Sequence, residues 1–385
     1  MFKDELAIKG GEPVSPEPIP LAKPAINLEV INEIKQVIAS GNLKQGQLVE
    51  NFEDLFKEFV GSKFAYATVN GTSALHLAYL SIIKKGDEVI IPDFTFFATA
   101  SMIHYCGAKP VFADIDAETF TVDPENVKEK ISYKTRAIVP VHLFGNSANI
   151  NALQDISQDH DLSLIHDSAQ AHGTKYNGKD IGSIGDLSCY SFYPSKTITT
   201  GEGGMVTTND PELNKKGRLL RSHGEDVRYH HILFGFNYRL NEIQAALGIN
   251  QMKQIKKILE RRKIIGKYLK DEITKIPGLL PQKTTPKASH SYSYFSLTLD
   301  PEYFKCNRDE FMKALQAENI ECAVHYPTPL TKQPIIREIC NPDICQVSED
   351  VGNRIFSLPI YPDLTHENME LIVKAINKVA NYYLK

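Results

Sequence analysis

The chain has 385 residues, of which 42% are hydrophobic and 23% charged, a composition typical of a globular protein large enough for two domains. Its formal net charge of -4 argues against nucleic acid as the main partner. The sequence contains no apolar run of membrane-spanning length and no N-terminal stretch typical of a signal peptide, so we expect a cytoplasmic protein that contacts no membrane.

The N-terminal part of the chain predicts an extended lead-in followed by two helices. Residues 1–24 are rich in proline and show no periodic pattern. The two helices end at Gly41 and Gly61, and each has apolar residues at helical spacing. The predicted buried faces consist of Leu28, Ile31, Ile34 and Ile38 in the first helix, and of Val49, Phe52, Leu55 and Phe59 in the second.

From residue 64 to residue 169, strand-like and helix-like segments alternate. The predicted strands are "FAYATVN", "DEVIIPDF", "KPVFADI", "RAIVPVHLFG" and "DLSLIHDSA", and the helical segments between them are "GTSALHLAYLSII", "FFATASMIHYCGA", "PENVKEKI" and "NINALQDISQDH". Each strand is an apolar run without in/out alternation. Five such strands in succession predict an α/β protein with a parallel sheet covered on both faces.

After residue 185 the alternation stops. The segments "DLSCYSFY" and "GGMVTTND" predict two short strands, and a long helix follows from about residue 239 to 275. Beyond it, "SYSYFSLTL" and "ECAVHY" are strand-like, while "RDEFMKALQAENI" and residues 366–384 are helical. We therefore predict that residues 1–250 form the lead-in and a large domain, and that residues 251–385 form a smaller α+β domain.

The stretch "VNGTSALHLA", residues 69–78, is the first candidate for a binding motif. A strand ends, Gly71 permits close backbone approach, and a helix begins with Thr72 and Ser73. Free backbone N–H groups at a helix N-terminus, together with the helix dipole, favour a bound phosphate. A simple helix cap would account for the same residues.

The stretch "IHDSAQAHG" places Asp167 just after the fifth predicted strand, where ligands bind in parallel sheets. Apolar neighbours leave this acid poorly solvated, so it needs a cationic partner. A serine hydrolase built from His166, Asp167 and Ser168 is disfavoured, because neighbours on a strand point to opposite faces and no GxSxG motif exists. We expect His166 and His172 to be structural.

The stretch "SFYPSKTITTGEGGM", residues 191–205, confines Lys196 between a strand and a glycine-rich turn. A phosphate-binding helix end, a buried acid and a confined lysine together match pyridoxal 5′-phosphate (PLP). The aldehyde of PLP needs an amine, its pyridine nitrogen needs a carboxylate, and its phosphate needs backbone donors. The six scattered cysteines lack metal-ligand spacing, so we predict reduced thiols and no metal.

These motifs carry a family resemblance. With "IPLAKPAI", "IPDFTFFATA", "PVHLFGN", "FGFNYRLNEIQAALG" and "HYPTPL", they run in family order from about residue 19 to 330. The chain resembles the DegT/DnrJ/EryC1/StrS aminotransferases, which are fold-type I PLP-dependent transferases acting mostly on keto-sugar nucleotides. The resemblance implies a large domain with a mostly parallel seven-stranded sheet and a smaller α+β C-terminal domain.

The resemblance also implies residue roles. Lys196 would hold the cofactor and carry the reacting proton, and Asp167 would pair with the pyridine nitrogen. The remaining predicted cofactor contacts are Gln170 near the phenolic oxygen, Gly71, Thr72, Ser73 and Ser191 at the phosphate, Phe96 over the ring, and Asn237 reaching the phosphate from the neighbouring subunit of a homodimer. Core packing for Phe96 and local bonding for Gln170 and Ser191 remain open alternatives.

The resemblance implies amino transfer from glutamate or glutamine to a keto-sugar, and the leading hypothesis is a nucleotide-linked deoxysugar. Relatives that dehydrate carry histidine in place of the lysine, so Lys196 favours transamination. His325 and Tyr326 are candidates for substrate contact, or for a simple aromatic cluster, and Glu202 has no assigned role. The alternatives are a keto-cyclitol aminotransferase of the scyllo-inosose type, suggested by "LAIKGGEPV", and a non-catalytic sensor or binding protein with the same fold.

Overall fold

The computed structural model describes residues 5–385, so the first four residues of the predicted lead-in lie outside it. The strands are β1 (Phe64–Thr68), β2 (Glu88–Pro92), β3 (Lys109–Ala113), β4 (Thr135–Ile138), β5 (Ser163–Asp167), β6 (Lys175–Tyr176), β7 (Lys179–Asp180), β8 (Leu187–Ser191), β9 (Gly204–Thr208), β10 (Glu225–Val227), β11 (His230–His231), β12 (Leu279–Pro281), β13 (Ala288–Ser289), β14 (Phe295–Leu299) and β15 (Ile355–Leu358). The α-helices are α1 (Val30–Ser40), α2 (Gln47–Val60), α3 (Gly71–Ile82), α4 (Ala98–Tyr105), α5 (Pro124–Glu129), α6 (Ile150–Asp159), α7 (Pro211–Arg221), α8 (Glu242–Ile273), α9 (Arg308–Ala317), α10 (Pro334–Ile339), α11 (Gln346–Arg354) and α12 (His366–Tyr383).

A seven-stranded sheet in the order β1-β9-β8-β5-β4-β2-β3 forms the centre of the large domain. Its pairs from β8 to β3 are parallel, and β9 runs antiparallel to both of its neighbours. Side chains on the two faces of the sheet belong to different hydrophobic cores. Ile90 and Ile138 pack with residues of α5 and α6, whereas Val89 and Ile91 pack with residues of α3 and α4. The predicted α/β fold, with a mostly parallel sheet covered on both faces, is confirmed.

The 32-residue helix α8 connects the two cores of the protein. Its first 18 residues, which include Met252 and Leu259, pack in the core that contains α2. Its C-terminal part, including Ile265 and Leu269, packs against the sheet β12-β14-β15 and helices α9 and α12. Because α8 runs through residues 250 and 251 without a break, the predicted domain boundary there stays a prediction.

The lead-in packs against the C-terminal core rather than extending away from the protein. Leu6 and Ile19 are buried in the core built by α9, α12 and the end of α8. Glu318 at the end of α9 holds this segment, because its carboxylate accepts hydrogen bonds from the backbone N–H groups of Ala7 and Val14, each at 2.9 Å. Proline-rich composition predicts an extended backbone but not the surface against which it lies.

The structure corrects several local predictions. In α1, Val30 and Val37 are the buried residues, so the predicted buried face of this helix is wrong. Helix α1 packs against α8, and of its predicted buried face Ile31 and Ile38 are exposed while Ile34 is half-buried. In α2, Val49 and Phe52 are buried as predicted, whereas Leu55 is exposed and Phe59 is half-buried. The rest of the buried face consists of Glu53, Phe56 and Val60.

The segment "ECAVHY" is not a strand and makes only an isolated bridge from Ala323 to Ser357. Helix α7 and the hairpin of β10 and β11 were not predicted. Within residues 5–385, none of the helices combines the length and the apolar character that crossing a membrane requires.

Candidate active site

A cavity of about 520 Å³ lies where the carboxyl ends of the sheet strands meet residues from the C-terminal part of the chain. It is lined by Asn70, Gly71, Thr72, Leu75, Thr95, Phe96, Ala98, Val141, Leu143, Asp167, Ala169, Gln170, Ser191, Tyr193, Ser195, Lys196, Glu202, Tyr294, His325 and Tyr326. A larger groove of about 690 Å³ between α1, α2 and α8 contains none of the predicted site residues. We place the site in the smaller cavity because the reactive side chains converge there.

The N-terminus of α3 forms one end of the cavity. Asn70 caps this helix, because its side-chain oxygen accepts hydrogen bonds from the N–H and hydroxyl groups of Ser73 at 2.8 and 2.9 Å. Within the described residues, no hydrogen bond occupies the N–H groups of Gly71 or Thr72. These two N–H groups are therefore available to an anion. Ser73 does not line the cavity, so its phosphate contact stays a prediction.

Gly71 is required for the close approach of this helix end to β8. A Cβ atom at residue 71 would lie only 2.6 Å from the Cβ atom of Ser191, which ends β8 and also lines the cavity. Any larger residue would therefore push the helix away from the strand. The glycine in "VNGTS" thus shapes a cradle between a helix N-terminus and a serine hydroxyl.

Asp167 ends β5 and is 4% exposed. Its carboxylate accepts hydrogen bonds from the Thr99 hydroxyl at 2.8 Å and from the Ala169 N–H at 3.1 Å. Burial raises the pKa of Asp167 above its ordinary value, and these hydrogen bonds and the nearby charge of Lys196 counteract that shift. Within the described residues no cation contacts the carboxylate directly. A positively charged ring nitrogen would supply the missing ion-pair partner.

Lys196 lines the same cavity and is partly buried, not a surface lysine. Burial lowers the pKa of its amine to about 8, while the charge of Asp167 opposes that shift. A lysine with this pKa has a much larger neutral fraction at physiological pH than an ordinary lysine, and only the neutral amine attacks a carbonyl. The confinement expected from the sequence is therefore observed.

Gln170 bridges three segments at the floor of the cavity. Its side-chain oxygen accepts a hydrogen bond from the Phe144 N–H at 2.7 Å, and its amide donates to the Tyr326 hydroxyl at 3.1 Å. The loop that carries Tyr326 is fixed to the large domain by Asp93, which accepts hydrogen bonds from the backbone N–H and the hydroxyl of Thr331. The substrate-contact candidate Tyr326 therefore has a defined position.

The aromatic and histidine candidates also meet at the cavity. Phe96 is 57% exposed and its ring centroid lies 5.9 Å from that of Tyr326. The ring of His325 lies 4.6 Å from the ring of Tyr294, and burial lowers the pKa of His325 to about 4, so the imidazole is neutral near pH 7. Asn237 is exposed and does not line the cavity of its own chain. Its role in a partner's site stays a prediction.

His166 and His172 lie in the protein interior. His166 shares a 2.8 Å hydrogen bond with His142, and burial lowers the pKa of His166 to about 3. His172 packs among Phe56, Tyr190 and Phe192, and burial lowers its pKa to about 3 as well. Neither histidine lines the cavity.

Sequence reasoning missed three residues that shape the site: Thr99, Ser195 and Tyr294. Thr99 lies on α4 and orients Asp167. Ser195 and Tyr294 line the cavity and share a 2.8 Å hydrogen bond. No spacing signal marks these residues, because each comes from a different segment and acts only through a contact distant in sequence. The position of Ser195 directly before the lysine is the only available sequence signal.

The residues of the cavity fit PLP at three points. In the part of the chain that the structure describes, the buried Asp167 has no direct cationic partner and the N–H groups of Gly71 and Thr72 are free. Lys196 supplies an amine with a lowered pKa, and a Cβ atom at residue 71 would fill the cradle that these N–H groups form. When bound, PLP supplies an aldehyde that accepts an amino group and a ring that withdraws electrons from the reacting carbon. Asp167, Lys196 and the N-terminus of α3 would hold it.

A family model described as the DegT/DnrJ/EryC1/StrS aminotransferase family matches residues 24–377. The GDP-perosamine synthase of Vibrio cholerae is 36% identical over 369 residues, which is 95% of this chain and 99% of that protein. Among solved structures, DesV of S. venezuelae is 30% identical with a TM-score of 0.89, covering 94% of this chain and 99% of that chain. NtdA of Bacillus subtilis, solved with the cofactor PMP bound, is 25% identical with a TM-score of 0.87, covering 95% of this chain and 86% of that chain.

The lowered pKa of Lys196 predicts a specific pH dependence of its reactivity. In cofactor-free protein, acetylation of Lys196 by acetic anhydride should increase with pH and reach half its maximum near the pKa of about 8. In Asp167→Asn the midpoint should move to lower pH, because the amide no longer stabilises the charged amine. Peptide mass spectrometry measures both. A midpoint near ~10.4, typical of an unperturbed lysine, would contradict the environment described for this amine.

Proposed function

We propose a substrate class for this chain, which belongs to the DegT/DnrJ/EryC1/StrS aminotransferase family and is a PLP-dependent aminotransferase. It moves an amino group from glutamate or glutamine to the keto group of a nucleotide-linked keto-deoxysugar. The observation that carries this proposal is the convergence of Lys196 and Asp167 on one cavity below the N-terminus of α3. The similarity over nearly the full length to a GDP-perosamine synthase supports a nucleotide-linked sugar as the substrate.

The chain's own groups have distinct tasks in this reaction. Lys196 would move a proton between the substrate carbon that carries the amino group and the cofactor carbon, which requires an amine that is neutral for part of the time at physiological pH. Asp167 keeps the ring nitrogen protonated, and the Thr99 hydroxyl fixes the direction of that carboxylate. Gln170 would lie near the phenolic oxygen of the cofactor, and the N–H groups at the start of α3, together with Ser191, would hold its phosphate; all of these residues line the cavity.

His325 and Tyr326 lie at the C-terminal side of the cavity, where we propose that they contact the sugar. The neutral imidazole of His325 and the phenol of Tyr326 offer hydrogen-bond partners without adding charge. Such groups suit the hydroxyl and keto oxygens of a sugar ring. The stacked position of Phe96 over the cofactor ring is proposed on the same basis, since its ring borders the cavity and faces Tyr326.

A panel of acceptors and donors tests the substrate proposal. GDP-, UDP- and TDP-linked keto-sugars and scyllo-inosose are each offered with glutamate or glutamine, and release of the donor's keto acid is measured. We expect turnover with a nucleotide-linked sugar, and we expect Lys196→Ala to lower kcat by roughly 10³-fold or more because the proton carrier is lost. The surface variant Lys253→Ala serves as the control.

Two results would count against this proposal in different ways. Full turnover by Lys196→Ala would overturn the role of the lysine. Preference for scyllo-inosose over every nucleotide-linked sugar would replace the sugar substrate by a keto-cyclitol, while leaving the amino transfer intact.

We further propose that the protein acts as a homodimer with shared sites in the cytoplasm. The hairpin of β10 and β11 and the segment after it leave large apolar side chains exposed, among them Tyr229 and the fully exposed Phe234. Such a patch favours a protein contact. Asn237 lies in the same segment, is exposed and does not line the cavity of its own chain, which supports a contact with the phosphate in a second copy.

Mixing of inactive subunits tests the shared site. Lys196→Ala and Asn237→Ala homodimers should each have little activity, and their mixture after subunit exchange should recover about a quarter of the wild-type activity, because half of the dimers are mixed and each contains one complete site. Keto-acid release measures the recovery. A mixture that is no more active than its components, despite exchange shown by mass spectrometry, would overturn the shared site.

A further inference from the structure

A side-chain hydrogen bond next to Lys196 joins the loop that carries this lysine to the C-terminal part of the chain. Backbone bonds fold the loop on itself: the Lys196 N–H donates to the Tyr193 carbonyl at 2.9 Å, and the Thr200 N–H donates to the Phe192 carbonyl at 3.0 Å. The hydroxyl of Ser195, next to the lysine, shares a 2.8 Å hydrogen bond with the hydroxyl of Tyr294. This bond ties the residue before the lysine to a segment almost one hundred residues away.

Tyr294 is itself firmly positioned. It is 7% exposed, its N–H donates to the Phe144 carbonyl at 3.2 Å, and its ring packs edge-on against the Phe144 ring at 5.9 Å. The buried guanidinium of Arg262 on α8 donates to the carbonyls of the two preceding residues, Tyr292 and Ser293, at 3.1 and 3.2 Å. Because Tyr294 is held in place, its hydrogen bond restrains the position of Ser195.

The ring of Tyr294 also faces the amine. The Nζ atom of Lys196 lies 5.8 Å from the ring centroid, within the distance at which an aromatic ring attracts a cation. The ring therefore favours the charged amine, in the same direction as Asp167 and against the effect of burial. Two parts of one side chain thus act on the lysine: the hydroxyl through Ser195, and the ring directly.

We propose that Tyr294 is a positioning residue for Lys196, with its hydroxyl fixing the lysine loop through Ser195 and its ring face setting the proton affinity of the amine. This inference rests on the proposed function, since it assumes that Lys196 reacts with an aldehyde in the cavity. The residue belongs to the segment between β13 and β14, so the C-terminal part of the chain takes part in preparing a lysine that the large domain carries.

The hydroxyl is tested by the rate at which cofactor-free protein, mixed with PLP, develops the visible absorption band of the lysine-bound cofactor. We expect Tyr294→Phe and Ser195→Ala each to slow this rate by about tenfold, because the amine is less precisely placed. The double variant should be no slower than either single variant, since both remove the same bond. Tyr292→Phe is the matched control, because no hydrogen bond involves the Tyr292 hydroxyl within residues 5–385.

The ring is tested without cofactor by the pH dependence of Lys196 acetylation. Tyr294→Phe keeps the ring and should leave the midpoint unchanged, whereas Tyr294→Leu should lower it by roughly half a unit to one unit. Circular dichroism confirms that each variant is folded.

Wild-type rates in both single variants, or slowing that multiplies in the double variant, would overturn the role of the hydroxyl. An unchanged midpoint in Tyr294→Leu would overturn the role of the ring. A wild-type protein that forms no visible band would instead overturn the proposed function, and this inference with it.

Discussion

The site depends on a buried carboxylate that no cation contacts among residues 5–385. Asp167 lies at the end of a central strand, nearly excluded from water, and its two donors are a hydroxyl and a backbone N–H. Burying a charge without a direct ionic partner costs free energy, which is why its pKa is raised. A protonated pyridine nitrogen at this position would form an ion pair with the Asp167 carboxylate and offset the free-energy cost of burying its charge. Cofactor binding and the local stability of the site are therefore linked.

The sheet explains how distant residues reach this carboxylate. Gly71 follows β1, Asp167 ends β5 and Ser191 ends β8, so three strand ends deliver the cradle and the acid to one edge. Strand β9 then returns antiparallel beside β8. The turn between these two strands, which carries Lys196, therefore lies at the same edge of the sheet. The C-terminal part of the chain closes the cavity with side chains that hydrogen-bond to this edge, such as Tyr326 with Gln170.

The parts of the fold and site that could be predicted are those that leave a local signature. Apolar runs without alternation marked the parallel strands, and the glycine after β1 marked a close approach that the structure explains by the contact with Ser191. The confined lysine was recognisable from the strand and glycine turn around it. The signal for each of these features comes from residues that are near one another in sequence, and the resemblance to a known family joined the features into one site.

The parts that could not be predicted depend on contacts between distant segments. Nothing near Tyr294 in the sequence indicates that its hydroxyl meets Ser195, and the pattern of α1 does not reveal which side of the helix packs against α8. The lead-in looked merely extended, although Leu6 and Ile19 enter the C-terminal core. Such contacts are set by tertiary packing, which overrides the periodicity of a single segment.

The most direct test of the ion pair at Asp167 is nitrogen-15 NMR of the protein loaded with PLP that is labelled at the pyridine nitrogen. The wild-type protein should give the chemical shift of a protonated ring nitrogen at neutral pH, and Asp167→Asn should give that of an unprotonated one. An unprotonated nitrogen in the wild-type protein, or the same shift in both proteins, would contradict the account.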